Sequence, residues 1–159
     1  MKEFIDATVF MGMHSTDEER RVACKNFFVE RMEKTIFMSY ENVGKCDDIV
    51  WSFDRETQDA YYPFMDRLHT AMDVQRIPYD ERTLERRASL SDLSVLQQLT
   101  LALSRAHAGR LRTFDGDLLR RDLDDVSAPH GSKIEKEFSS DLEKWYRESL
   151  QLRVDGTMN

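Results

Sequence analysis

Five carboxylates stand where the surrounding pattern does not account for them. Asp6 interrupts the apolar run Phe4-Ile5-Asp6-Ala7-Thr8-Val9, and Glu41 follows a second apolar run directly. Asp92 lies four, seven and eleven residues before Leu96, Leu99 and Leu103, and Asp115 and Asp117 flank Gly116. Singly, each has an ordinary explanation: a hydrogen-bonded strand acid, a first-turn helix acid, a turn former. Brought together, they need a counter-charge. Two like charges about 4 Å apart repel by ~4 kcal/mol at an effective dielectric of 20, so such a group takes up protons or binds a cation. All-oxygen ligands favour a hard divalent ion, Mg²⁺ or Mn²⁺, and the sequence has no Cys/His spacing suited to zinc. The chemistry expected of such a centre is metal-assisted phosphodiester hydrolysis. Arg112, Arg120 and Arg121, close in sequence to Asp115 and Asp117, are the candidates to hold the anionic substrate.

The elements that would position these groups follow from periodicity. Residues 3–11 read as a strand with two apolar faces, as in a parallel sheet covered on both sides. Ser15 or Thr16 starts a helix through Phe27 and Phe28, residues 34–40 form a second strand, and 41–53 a second helix. A further helix carries Tyr61, Met65, Leu68 and Met72 on one stripe and is expected to kink or restart at Pro63. Residues 74–79 form a short strand and 80–89 a short arginine-rich helix. Ser89 or Ser91 caps the next helix, stopped by Gly109, and 110–114 is the last strand. Residues 121–132 read as a loop, with no fifth strand beyond 114. A final helix over 133–152 presents Ile134, Phe138, Leu142 and Trp145 on one face. Strand–helix alternation in this order points to an α/β/α sandwich with a mostly parallel central sheet and an added C-terminal helix.

Composition bounds the rest. A chain of 159 residues with 16 aromatics buries a real core and is one ordinary domain in size. The net charge of −7 argues against a protein that coats nucleic acid non-specifically. Eight arginines face five acids between Glu81 and Arg121, so the basic part lies late in the chain. No apolar run approaches a membrane span, and two cysteines suit reduced thiols in the cytoplasm.

The ordered motifs resemble PIN-domain nucleases. Phe4-Ile5-Asp6-Ala7-Thr8-Val9 resembles their opening strand, Tyr40-Glu41-Asn42-Val43 their second acid, and Leu90-Ser91-Asp92-Leu93 their third. Thr113-Phe114-Asp115-Gly116-Asp117-Leu118 is similar to their Thr-x-Asp-x-Asp-Phe segment. The resemblance covers residues 1–125 and leaves 126–159 as a linker and amphipathic helix, packed on the domain or on a partner subunit. It implies a carboxylate pocket for Mg²⁺ or Mn²⁺ and cleavage of single-stranded RNA. It also implies a toxin role with an antitoxin-like partner, and dimerisation. Carried over by motif, Asp6, Glu41, Asp92 and Asp115 are the catalytic and metal-site acids. Asp117 is an auxiliary ligand, and Thr8 and Thr113 are supporting hydroxyls. Two rival readings stay open: a PIN-like module that binds without cleaving and uses its last helix, and an enzyme of the same fold acting on DNA or a small molecule.

Overall fold

The computed structural model describes residues 1–87 and 90–156. Strand β1 (Glu3–Ile5) leads into the one-turn helix α1 (Ala7–Phe10), a 3₁₀ turn (Met11–His14) and helix α2 (Glu18–Val29). Then come β2 (Thr35–Ser39), α3 (Tyr40–Trp51), α4 (Arg55–Ala71), β3 (Asp73–Ile77), α5 (Glu81–Arg87) and α6 (Val95–Ala106). The chain closes with β4 (Arg110–Arg112), α7 (Gly116–Leu119), β5 (Val126–Ser127) and α8 (Asp141–Ser149). Among the described residues the strands form one sheet in the order β3-β2-β1-β4-β5, and every pairing is parallel.

Strand residues alternate between two apolar clusters, which makes this a three-layer α/β/α sandwich. Ile5, Ile36 and Met38 enter one cluster with α2, α3, α4 and α8, built around Phe28, Tyr61, Phe64, Leu68 and Tyr146. Phe4 and Leu111 enter the other with Leu101, Leu103 and Leu118. Parallel strands need such cover on both faces, because each crossover returns the chain by a helix.

Several elements differ from the sequence reading. The first strand ends at Ile5, because the Asp6 carboxylate accepts the Thr8 N–H and caps α1. Residues 7–11 are apolar on both faces, a pattern that a buried helix satisfies as well as a strand. Asp17, rather than Ser15 or Thr16, caps α2. Helix α4 runs unbroken through Pro63; its Tyr61–Phe64–Leu68 stripe packs into the core with α8, which offsets the missing backbone donor. Ser94 caps α6, not Ser91, and the Ser89 alternative lies outside the described residues. A fifth strand is present: Leu111 and Arg112 pair with Val126 and Ser127, inside the stretch read as loop.

The last helix starts at Asp141, not near 133. The Asn26 side chain explains the delay. Its Nδ2 donates to Ile134 O and its Oδ1 accepts from Lys136 N, which takes backbone groups a helix would use. Ile134 is therefore exposed, whereas Phe138, Leu142 and Tyr146 join the core of this same chain.

Candidate functional site

Strand order places the reversal of direction between β1 and β4, and ligands of open parallel sheets bind outside the carboxyl ends at such a point. Register sets Ile5 opposite Arg112, so the residues that follow, Asp6 and Thr113, emerge side by side. A cleft of about 360 Å³ opens there. Asp6 and Thr8 line it from the end of β1, Asn42 and Lys45 from α3, and Ser94, Gln97 and Thr100 from α6 and its cap. Asp115, Asp117 and Arg120 close the remaining side.

Asp6 is held by hydroxyls. Thr8 N and Thr8 Oγ1 donate to Asp6 Oδ1 at 3.0 and 2.5 Å, and Thr113 Oγ1 donates to Oδ2 at 2.5 Å. The hydroxyl oxygens in turn accept from Phe114 N and Asp115 N, at 2.7 and 2.9 Å, so the two threonines tie the β1 end to the β4 end. Burial pushes the Asp6 carboxyl above its ordinary range, the Thr113 and Thr8 hydroxyls pull it down, and the nearby Asp115 charge adds to the rise.

The neighbouring acids Asp115 and Asp117 are met by one amide, Gln97, and a second amide, Asn42, braces the backbone beside them. Gln97 Oε1 accepts the Ser94 N–H at 2.9 Å while Ser94 Oγ accepts the Gln97 N–H, a reciprocal capping box that fixes which end of the amide faces out. Gln97 Nε2 then donates to both Asp115 oxygens, at 3.1 and 3.0 Å, and to Asp117 Oδ2 at 2.9 Å. Asp115 also caps α7 through the Asp117 and Leu118 N–H groups, and Arg120 pairs with Asp117. Asn42 is the second amide. Its Oδ1 accepts Ala7 N at 3.1 Å, and its Nδ2 donates to Ser39 Oγ and Thr100 Oγ1 at 3.0 and 2.9 Å.

The five carboxylates are thus divided. Asp6, Asp115 and Asp117 share the cleft. Glu41 is exposed on the first turn of α3, one step round the helix from Asn42, and lies beside Tyr79. Asp92 precedes α6 instead of opening it; its side chain is 72% exposed and pairs with Arg121. Of the three arginines, only Arg120 lines the cleft, and Arg112 reaches Glu3 and Ser127. The arginine-rich stretch from Glu81 to Arg121 resolves largely into pairs, Arg105 with Asp125 among them. Cys24 and Cys46 are buried, and burial pushes both thiols up, away from nucleophilic use.

Each cleft carboxylate already accepts from hydroxyl, amide, backbone or guanidinium donors, and Lys45 and Arg120 add positive charge. Among the described residues, no group of three or more His, Cys, Asp or Glu side chains could hold a metal ion. Asn42, Gln97 and Thr100 were legible only in part. Ser94-x-x-Gln97 before an apolar run is a capping-box signature, but nothing in it announces that the amide also meets two aspartates.

The three-layer α/β/α sandwich with its parallel central sheet matches the PIN-like fold. The chain belongs to the family described as "Family of unknown function (DUF6190)", whose model matches residues 1–158. No curated protein matches it. Among solved structures it is similar to a chain of a "Toxin-antitoxin complex from Klebsiella pneumoniae", with a TM-score of 0.53 and 16% identity. That alignment covers 82% of this chain and 100% of the other. No helix among the described residues is long and apolar enough to cross a membrane.

Proposed function

We propose that this chain is a PIN-like protein that acts by binding at its carboxyl-edge cleft rather than by metal-dependent cleavage. The observation that carries this reading is the Gln97 amide, locked by its capping box and bridging Asp115 and Asp117. An amide donor shared by the two carboxylates offsets part of the repulsion that would otherwise favour a cation. The cleft rim supports a protein as the bound species. Val95, the first residue of α6, is 54% exposed and stands between the cleft-lining Ser94 and Leu96, and Tyr40, the first residue of α3, is 55% exposed two positions before Asn42. Aromatic and aliphatic side chains around a polar centre suit a protein interface. The likeness to a chain from a toxin–antitoxin complex is in keeping with a protein partner. The last helix, with Phe138 and Tyr146 in the core, is not offered as that surface.

A second reading is favoured by the meeting of Asp6, Asp115 and Asp117 in one cleft. It is a Mg²⁺- or Mn²⁺-dependent ribonuclease of the PIN type, acting on single-stranded RNA as a toxin. It keeps Asp6 and Asp115 as catalytic acids, Thr8 and Thr113 as supports and Arg120 as a substrate contact. It requires Gln97 to swing away and Glu41 and Asp92 to move in.

Incubation of the protein with single-stranded RNA in Mg²⁺, Mn²⁺ or chelator separates the two. The binding reading expects no divalent-dependent cleavage and no metal-induced thermal shift. Cleavage that depends on the metal and disappears in folded Asp6→Asn would replace it with the nuclease reading.

A further inference from the structure

At the opposite, amino edge of the sheet lies a second hollow, of about 350 Å³, lined by Glu3, Arg31, Lys34, Thr35, Arg110 and Arg112. We infer that this hollow is a binding site for a compact ligand carrying two or more phosphoryl charges. It is separate from the cleft, roughly 10 Å away along three-residue strands, and the inference holds whether the cleft binds or cleaves.

The charge balance is the first argument. Four cations line the hollow with the carboxylate of Glu3, and Glu30 lies 3.7 Å from Arg31 at its margin, in a chain whose net charge is −7. Glu3 takes Arg31 at 2.6 and 3.2 Å and Arg112 at 3.2 Å, so one negative charge is shared between two guanidinium groups. Among the described residues neither Lys34 nor Arg110 is ion-paired. With Lys34 and Arg110 unmatched, the hollow keeps a local excess of positive charge, which an anion would relieve.

The second argument is preorganisation. Arg31 is held by Glu3, by the Phe27 carbonyl at 3.1 Å and by stacking over the Phe27 ring at 3.8 Å. Arg112 is buried and uses one N–H on Glu3 and one on Ser127 Oγ, of the five that a guanidinium owns. The free donors are thus fixed in place before a ligand arrives, and guanidinium forks match phosphoryl oxygens. Lys34 and Arg110 are exposed and can close on the ligand as mobile charges.

Size decides against a long polyanion. The cations border one open hollow of small-ligand volume rather than running in a stripe. The rest of the molecule is strongly acidic and would repel a nucleic acid strand extending beyond the hollow.

Calorimetric titration and thermal shift at low ionic strength test this, with inorganic phosphate, pyrophosphate, ADP and a single-stranded RNA oligomer as probes against matched chloride. Expected are binding and a raised Tm with pyrophosphate or ADP, inorganic phosphate weaker. Preference for ADP identifies a nucleotide and equal binding a bare diphosphate. Arg110→Glu should weaken binding at least about tenfold, and with Lys34→Glu abolish it, while circular dichroism stays unchanged because both side chains are exposed. Absence of binding at millimolar probe would overturn the inference, as would affinity unaffected by the charge reversals. So would an RNA oligomer binding through Lys34 and Arg110 more tightly than ADP.

Discussion

One side chain bridges two acids of the cleft. Gln97 accepts from Ser94 with its oxygen and donates to Asp115 and Asp117 with its nitrogen, so neither end is free to turn without losing a bond. A glutamate would still accept the Ser94 N–H, but it would place a third carboxylate against two others. Repulsion of a few kcal/mol follows, on the order of 4 kcal/mol for a pair at 4 Å and an effective dielectric of 20. Gln97→Glu should therefore lower the Tm in chelator, and Mn²⁺ should recover it, with binding visible by titration that the unaltered chain does not show. Replacing Thr113 by Val leaves Asp6 Oδ2 and the Asp115 N–H without their partner. The expected loss is about 1–3 kcal/mol in chemical denaturation.

At the scale of elements, chain reversals are set by contacts between elements. Helix α6 ends with Ala108, not Gly109, in the left-handed region, at φ 52°. Gly109 serves a different need: a Cβ there would lie 2.5 Å from the Phe4 ring. The two positions should respond in opposite directions. Ala108→Gly relieves a backbone cost of about 1 kcal/mol and should raise the Tm, whereas Gly109→Ala must displace Phe4 from the second core cluster and lower it. The C-terminal segment shows the same dependence. Glu135 bonds Arg21 at 2.5 Å and the fully buried Lys25 at 2.6 Å, and so fastens residues before α8 to α2. Glu135→Gln leaves Lys25 with Glu143 as its carboxylate, and a loss of about 3 kcal/mol is expected in urea unfolding.

Across the whole molecule, the buried His14 and the half-buried Glu135 shape the response to acid with the largest shifts among the groups that titrate there. His14 is fully buried among Tyr61, Phe64 and Tyr146, with Nε2 2.7 Å from Ser149 Oγ. Burial, reinforced by the charges of Arg153 and Arg21, lowers its pKa to about 3. The unfolded chain takes up this proton near pH 6.5 and the folded chain does not, so stability present above 6.5 declines as pH falls toward 3, by at most ~1.4 kcal/mol per pH unit. Glu135 acts lower. Burial would raise its carboxyl, but hydrogen bonds from Arg21 and Lys25 outweigh that and bring it to about 2. Its contribution is present above 4.5 and is lost between there and 2. Chemical denaturation over this range should show two declining segments, and His14→Gln should flatten only the upper one.

What the sequence determined by itself was the alternation of elements and the positions of the acids nearest the strand ends. Phe4 and Ile5 point to opposite clusters because a strand has a period of two, and Asp6 and Asp115 follow β1 and β4 because acidic residues end apolar runs. Helix phase and chain reversal were decided only in three dimensions. Glu41 and Asn42 differ by one step, about 100° around α3, and the start of that helix at Tyr40 turned the amide inward and the acid outward. Asp92 fell outside α6 because Ser94 and Gln97 close a better cap, with Ser94 two residues later. β5 is two residues long and has no signature of its own; it exists because β4 offers it an edge. Local spacing specifies which groups a turn or strand can hold, whereas which of them meet depends on packing that no single segment encodes.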